Sequence, residues 1–268
     1  MVWNTIIALQ SDLANATSCQ LAPYAYCAGA DLSGMNLSGM DLTGIDLRGA
    51  NLQNTTFDYA TLDGADLRDI VAMNATFIQT GMNRTYLQGA EFYETSGSEA
   101  NLSGALLKHA DLSDADLKYA DLSDADLRYA DLIDANLYHA DLSDADLYLA
   151  DLSDANLYLA DLIGADLYRA DLTNADVRYA DLTGADLYAA DLINTDLRHA
   201  DLYAALLYGA GLNDAWLWRA DLTYADVRYA DLSDADFTEA TVTGAQFFGT
   251  SWSNTIWTDG VAYNSNQA

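Results

Sequence analysis

Leucine or another large apolar residue recurs at every fifth position along most of the chain. Alanine stands two positions before it and Asp or Asn one position before it, as residues 110–114 (Ala-Asp-Leu-Ser-Asp) show. We number the unit from its alanine, so that Asp or Asn is the second position and leucine the third. From residue 25 to residue 259 the pattern gives about 47 units in constant phase. It therefore predicts one repetitive architecture for most of the chain.

A period of five residues excludes both a regular α-helix and a flat β-strand. An α-helix turns by about 500° over five residues, so successive leucines would form no buried stripe. Side chains of a flat strand alternate between faces, so an odd period would expose every second leucine. Leucine and alanine can both point inward if the chain bends once per unit and winds into stacked coils. Because such coils pair their backbone groups with the coils above and below, we predict an all-β solenoid.

The repeat closely resembles the A(D/N)LXX consensus of the pentapeptide-repeat family, over roughly nine-tenths of the chain. The resemblance implies a right-handed quadrilateral β-helix with four units per coil, in which the first and third positions face inward. About twelve coils would then form a rod about 55 Å long. The core ladder expected on one side consists of Leu112, Leu132, Leu152, Leu172 and Leu192.

The sequence divides into three segments. Residues 1–24 precede the regular units, and Trp3, Ile6 and Ile7 recur there at helical spacing, which predicts a short helical cap over the first coil. Residues 25–259 form the repeat, and residues 260–268 form a polar tail. Between residues 70 and 100 the pattern weakens but keeps its phase, so we favour a continuous coil over a projecting loop. Large centres such as Phe247 and Trp257 predict closure of the C-terminal end of the core.

The formal net charge of −30 restricts the partners. It disfavours direct binding of nucleic acid or anionic membranes and favours a basic protein partner or cations. The sequence contains no run of 18 apolar residues and no visible signal peptide, so we expect no membrane insertion.

Cys19 and Cys27 leave two interpretations open. Cys27 occupies a third position and could be a small buried hydrophobe, with Cys19 an unrelated thiol. The two could instead form a disulfide that joins the N-terminal segment to the first coil. The first interpretation fits a cytoplasmic protein, and the second fits a periplasmic or lumenal one.

Residues twenty apart should lie directly above one another in the implied helix, which predicts ladders at the fourth position. One ladder contains Tyr148, Tyr168, Tyr188 and Tyr208, with Arg128 and Arg228 at its ends. The opposite ladder contains Lys118, Tyr138, Tyr158, Arg178, Arg198 and Trp218. We favour a stabilising role for these ladders, and a flat aromatic binding face is the alternative.

The acidic residues also align at this spacing. The second position gives two columns, one of Asp111, Asp131, Asp151, Asp171 and Asp191, the other of Asp121, Asp141, Asp161, Asp181, Asp201 and Asp221. A shorter run contains Asp114, Asp134 and Asp154. Asn136 and Asn156 fill the second position without charge, so this site requires a short polar acceptor. Local backbone N–H groups, nearby Arg and Lys, and non-specifically bound divalent cations should offset the repulsion.

Catalytic chemistry is not visible in the sequence. His139 and His199 share a column but lie three coils apart, about 14 Å, which is too far for one metal ion. No phosphate-binding loop, nucleophile elbow or distinguished carboxylate pair occurs. We therefore expect no enzymatic activity, no cofactor and no metal site.

Two functions remain in competition. We favour a monomeric structural or interaction scaffold that binds an unknown, basic protein. The alternative is a DNA mimic that occupies the DNA-binding surface of an enzyme such as gyrase, as the resemblance to gyrase-interacting members of the family implies. The straight acid columns and the lack of a visible C-terminal dimerisation helix favour the scaffold.

Overall fold

The computed structural model describes residues 19–263 and shows a β-helix in that range. Every second-position residue forms a parallel bridge with the residue twenty positions later, from Tyr26↔Asp46 to Asp236↔Ile256. A turn separates each bridge from the next, and the predicted bend once per unit is therefore confirmed. Since bridged residues are twenty apart and units are five long, each coil contains four units. No helix in this range is long and apolar enough to cross a membrane.

Three amides of each unit join neighbouring coils. In the unit of residues 150–154, Leu152 donates its N–H to the carbonyl of Asp171 at 2.7 Å, and Asp154 donates to that of Thr173 at 2.9 Å. The N–H of Asp151 bonds to the preceding coil at 3.0 Å. Each unit therefore bonds to the coils on both of its sides, which is what a stack of coils requires.

A β-turn closes each unit. The N–H of Ala155 donates to the carbonyl of Leu152 at 3.1 Å, and the fifth-position residue, Asp154, has a φ of 59°. Type II turns require a positive φ at this place and favour glycine there. The chain often has another residue, and the left-handed conformation costs an L-residue roughly 1–2 kcal/mol. The turn is thus imposed by the coil even where the local residue disfavours it.

The first and third positions form a continuous core. The predicted ladder residues Leu112, Leu132, Leu152, Leu172 and Leu192 are all buried. Several threonines that replace alanine are buried as well, and the hydroxyls of Thr55, Thr80, Thr85, Thr195 and Thr255 donate to backbone carbonyls. Thr195, for example, donates to the carbonyl of Leu172 in the preceding coil at 2.7 Å.

The weak region between residues 70 and 100 is a continuous part of the coil, as predicted. Val71 bridges Glu91, and Thr76 bridges Ser96, without interruption. Gly97 stands where leucine is expected, and a Cβ at this position would lie 2.9 Å from a methyl group of Leu117 in the next coil. A side chain from the neighbouring coil therefore occupies the space that the missing leucine leaves.

Aromatic rings close the C-terminal end of the core. Trp257 lies 5.2 Å from Phe247 and 4.9 Å from Trp252, measured between ring centroids. Two short strands follow the last coil, β1 (Thr255–Ile256) and β2 (Ala262–Tyr263), and they pair antiparallel.

The start of the expected polar tail needs correction, because residues 260–263 belong to this hairpin. Its turn is closed by the N–H of Gly260, which donates to the carbonyl of Trp257 at 2.9 Å. The hairpin pairs with an edge that the last coil would otherwise expose. The helical cap predicted from Trp3, Ile6 and Ile7 lies outside the described residues.

Two adjacent alanines test the turn. Ala189 lies at the fifth position with a φ of 52°, whereas Ala190 is buried at the first position. We expect Ala189→Gly to raise the free energy of unfolding by about 0.5–1 kcal/mol, because glycine adopts the left-handed conformation freely. The same change at Ala190 should lower it by about 1 kcal/mol. Urea unfolding measures both, and equal effects in the two variants would contradict the turn assignment.

Candidate interaction surfaces

The second-position side chain bonds the one amide of a unit that the backbone ladder does not use. The N–H of Ser153 donates to Oδ1 of Asp151 at 3.0 Å, and that of Ile133 to Oδ1 of Asp131 at 3.1 Å. Asparagine does the same, since the N–H of Tyr158 donates to Oδ1 of Asn156 at 3.1 Å. The predicted need for a short polar acceptor at this site is confirmed.

Two units that lack this acceptor obtain it from the preceding coil. Gly81 has no side chain to offer, and the N–H of Asn83 donates instead to Oδ1 of Asp63, twenty residues earlier, at 3.0 Å. The N–H of Ile78 likewise donates to Oδ1 of Asp58 at 3.1 Å. In these two units an aspartate of the preceding coil therefore replaces the acceptor that the unit itself lacks.

The carboxylates of the two acid columns are stacked as expected. Consecutive members such as Asp111 and Asp131, or Asp141 and Asp161, are bridged directly. Burial raises the pKa of Asp131 above its ordinary value of 3.8, and the carboxylates of Asp111 and Asp151 raise it further. The pKa of Asp191 is raised by burial and by Asp171. The neighbouring carboxylates of each column therefore repel one another.

Arginines at the fourth position are paired within their own unit. The guanidinium of Arg128 donates from Nε to Oδ1 of Asp126 at 2.7 Å and from a terminal nitrogen to Oδ2 at 2.6 Å. These bonds lower the pKa of Asp126. Arg48, Arg68, Arg178, Arg198 and Arg228 make the same bidentate contact. These arginines are neutralised locally and leave the acid columns as the dominant charged feature.

The first predicted tyrosine ladder is a row of parallel rings. Centroid distances are 5.4 Å for Tyr148–Tyr168, 5.2 Å for Tyr168–Tyr188 and 5.1 Å for Tyr188–Tyr208, with interplanar angles of 7°, 4° and 6°. Arg228 lies over the Tyr208 ring at 5.5 Å. Because the ring faces cover one another, the ladder does not offer a flat stacking face to a ligand. This geometry favours the stabilising role.

The other end of this ladder, at Arg128, is held by carboxylates. Its Nε lies 3.3 Å from Asp146, in addition to the bidentate contact with Asp126. Arg128 therefore links two coils electrostatically where the sequence suggested an end cap for the tyrosine rings.

The second predicted ladder is stacked in its lower part and rearranged at its end. Tyr138 and Tyr158 are parallel at 5.8 Å, and Arg178 lies over Tyr158 at 5.1 Å. The expected continuation from Arg198 to Trp218 needs correction, because Arg198 lies over Trp216 at 5.2 Å. Trp216 is bridged to Asp196, the residue that pairs with Arg198, and places an indole ring where most units have Asp or Asn. Lys118, at the lower end, pairs with Asp116 at 3.0 Å.

Trp218 joins an aromatic column at the fifth position that the sequence analysis missed. It contacts His199 at 4.8 Å and Arg219 at 4.4 Å. His199 in turn stacks on Tyr179 at 4.6 Å. The sequence signal for this column is the pair of rings Tyr179 and His199, which stand twenty residues apart at the fifth position.

Cys19 and Cys27 are joined by a disulfide, with Cα atoms 5.1 Å apart, and Cys27 is buried. Residues 19–263 contain no group of three His, Cys, Asp or Glu side chains that could hold a metal ion. His139 and His199 each contact neighbouring tyrosines instead.

Two shallow grooves run along the surface. The first, here called the acidic groove, is lined by His139, Leu159, Tyr179, Asp141, Asp161 and Asp181, with the alanines between them. The second, called the mixed groove, is lined by Lys108, Arg128, Tyr129, Asp146, Tyr148 and Asp166. The two differ in charge, since cations line only the mixed groove.

The fold and its unit define a β-helix built from five-residue repeats. The family model for pentapeptide repeats matches in eight copies, over residues 30–69, 98–132, 130–167, 150–187, 185–217 and 219–251. The chain belongs to the pentapeptide repeat family, whose members fold as right-handed β-helices.

Two solved structures illustrate the relationship. HetL from the cyanobacterium Nostoc sp. strain PCC 7120, a pentapeptide repeat protein involved in heterocyst differentiation regulation, is 31% identical. The match covers 85% of this chain and 93% of HetL, with a TM-score of 0.39. QnrB1, a plasmid-mediated fluoroquinolone resistance protein, is 17% identical over 81% of this chain and 90% of its own, with a TM-score of 0.50, a likeness of fold. No curated protein matches the chain.

Asp131 tests the two roles of the second position separately. Asp131→Asn keeps the acceptor for the Ile133 N–H and removes one charge between Asp111 and Asp151, so we expect a higher melting temperature at low salt. The gain should shrink as NaCl or CaCl₂ is added, because counter-ions already screen the column. Asp131→Ala removes the acceptor and should cost about 1 kcal/mol.

The raised pKa of Asp131 also fixes the sign of a pH effect. The folded protein binds this proton more tightly than the unfolded chain, so the column gains stability as pH falls through the folded pKa. The lowered pKa of Asp126 has the opposite sign, and its contribution is lost at still lower pH. For the two Asp131 variants, equal destabilisation would contradict the separation of acceptor and charge at the second position. A melting temperature of Asp131→Asn that does not change relative to the wild type with salt would contradict it as well.

Proposed function

We propose that the chain is a rigid, non-enzymatic scaffold that binds a basic protein through its acid columns. Pentapeptide repeat proteins are generally structural or interaction proteins without enzymatic activity. With four units per coil, the proposed body is a quadrilateral rod of about twelve coils, about 55 Å long. The observation that carries the proposal is the pair of bridged acid columns, in a surface whose bidentate arginines are already neutralised.

A DNA mimic is the second candidate, and linear charge density favours it. Thirty net negative charges on a rod about 55 Å long give about one charge per 1.8 Å. Duplex DNA carries one per about 1.7 Å. The acid columns run straight along the rod, however, whereas the phosphates of duplex DNA follow a helix. We therefore rank the mimic, acting on an enzyme such as gyrase, below the scaffold.

The Cys19–Cys27 disulfide is relevant to the cellular compartment of the protein. We propose that the protein acts in an oxidising compartment, periplasmic or lumenal, because the Cys19–Cys27 disulfide would be reduced in most cytoplasms. Thiol titration of protein purified from its native source, under native and denaturing conditions, decides between the locations. Free thiols after denaturation would place the protein in the cytoplasm.

Affinity capture with a charge-reduced control tests the scaffold. The control carries Asn at positions 111, 131, 151, 141, 161 and 181, which keeps the second-position acceptor and removes six charges. We expect the wild type to retain basic proteins from its own cell extract at physiological salt and the control to retain at least tenfold less. Equal capture would show that the acid columns are not the binding surface. Inhibition of gyrase supercoiling at micromolar protein would instead favour the DNA mimic.

A further inference from the structure

The acidic groove combines two parallel rows of different chemistry. One row contains fifth-position residues from three successive coils, His139, Leu159 and Tyr179. The other row contains the second-position carboxylates that follow them, Asp141, Asp161 and Asp181. A partner lying along the groove meets one aromatic or aliphatic side chain and one carboxylate in every coil.

The apolar row has a recess at its centre. Leu159 carries no ring and stands between His139 and Tyr179, which do, so the aromatic column is interrupted there. Leu159 is 38% exposed and Tyr179 is 45% exposed, so the row presents apolar surface to water. The recess can therefore receive an aliphatic side chain between two rings, which would remove exposed apolar surface from water.

The carboxylates beside this recess are available to a cation. Each uses Oδ1 to accept one backbone N–H, from Ser143 at 2.9 Å, Ile163 at 3.0 Å and Thr183 at 2.9 Å. No Lys or Arg lines the groove. In the mixed groove, Lys108 and Arg128 already occupy the corresponding space.

The spacing of the rows selects the shape of the partner. Successive coils are about 4.8 Å apart. An α-helix brings a residue to the same side once per turn of about 5.4 Å, so over the two intervals between three coils it drifts from the carboxylates by about 1.2 Å. An extended strand repeats on one side about every 6.6 Å, so over the same two intervals it drifts by about 3.6 Å. Long Lys and Arg side chains absorb the smaller mismatch.

We propose that the acidic groove docks an amphipathic helix of the partner, with Lys or Arg along one stripe facing Asp141, Asp161 and Asp181 and an aliphatic residue in the recess at Leu159. The proposal rests on the scaffold function proposed above and assigns it a location and an occupant. It differs from general attraction by an acidic rod because one groove and one arrangement of cations are required.

A stapled peptide of about four helical turns, with Lys on one stripe and Leu on the adjacent stripe, tests the proposal against the full-length protein. Its dissociation constant is measured by fluorescence anisotropy at physiological salt. A peptide of the same composition with the stripes scrambled, and one with a central proline that prevents a helix, serve as ligand controls. We expect the striped helix to bind at least about fivefold more tightly than either.

Matched protein variants locate the site. The double variant Asp161→Asn/Asp181→Asn and its control Asp166→Asn/Asp186→Asn remove the same charge and keep the same backbone acceptor. In the control column Gly164 and Gly184 stand at the fifth position, so the row formed by Leu159 and Tyr179 in the acidic groove has no counterpart there. We expect the first to weaken binding about fivefold and the control less than about twofold. Leu159→Asn, which suits the positive φ of 61° there, should weaken binding of the striped helix as well.

Equal losses in the two double variants would overturn the proposal, because they would show attraction to total charge. Equal binding of the scrambled or proline peptide would overturn it too. These results leave capture of a basic protein by the wild type unaffected, so failure of the groove is distinguishable from failure of the scaffold function.

Discussion

The structure depends on how the backbone amides of the five-residue unit are satisfied. In residues 150–154, three amides bond to neighbouring coils and the first-position amide closes the preceding turn. The remaining one, from Ser153, has the side chain of Asp151 as its acceptor. A short acceptor two residues earlier is thus part of the backbone scheme. In such units the Asp or Asn of the repeat has a structural role that does not depend on its charge.

This requirement separates the fold from the surface. Asn136 and Asn156 show that the acceptor needs no charge, so each aspartate adds electrostatic character that folding does not demand. The arginines neutralise part of this charge within their own units, as Arg128 does with Asp126. The carboxylates that the arginines do not neutralise are arranged in straight columns beside aromatic rows. A rod of this kind can change its surface from unit to unit while its core and ladder stay the same.

The sequence predicted the bend, the core and the acceptor role because each follows from a period that can be counted. It predicted the continuous coil through residues 70–100 because phase survives there, although not that Leu117 would fill the space at Gly97. The positive φ of Gly34 and Gly44 suits glycine. That Asp154 and Ala189 adopt the same conformation could not be predicted from local propensity, because the coil overrides it there.

Surface contacts were harder to predict, since they depend on side-chain direction as well as register. The ladder from Tyr148 to Tyr208 needs only the register of twenty. Arg198 instead lies over Trp216, a ring at the second position of the next coil, where most units have Asp or Asn. The acidic groove depends on which fifth-position side chains stand beside the second-position carboxylates in three successive coils. Strand β2, which completes the hairpin, lies beyond the regular units, where the period carries no information.

Residue-resolved hydrogen exchange of the native protein tests the amide scheme most directly. The amides of Leu152 and Asp154 bond between coils, so both should exchange slowly and at similar rates in every central unit. The amide of Ser153 bonds to a surface carboxylate and should exchange faster, which repeats the pattern every five residues. Equal protection at all three amides, or protection with a helical period, would contradict the account.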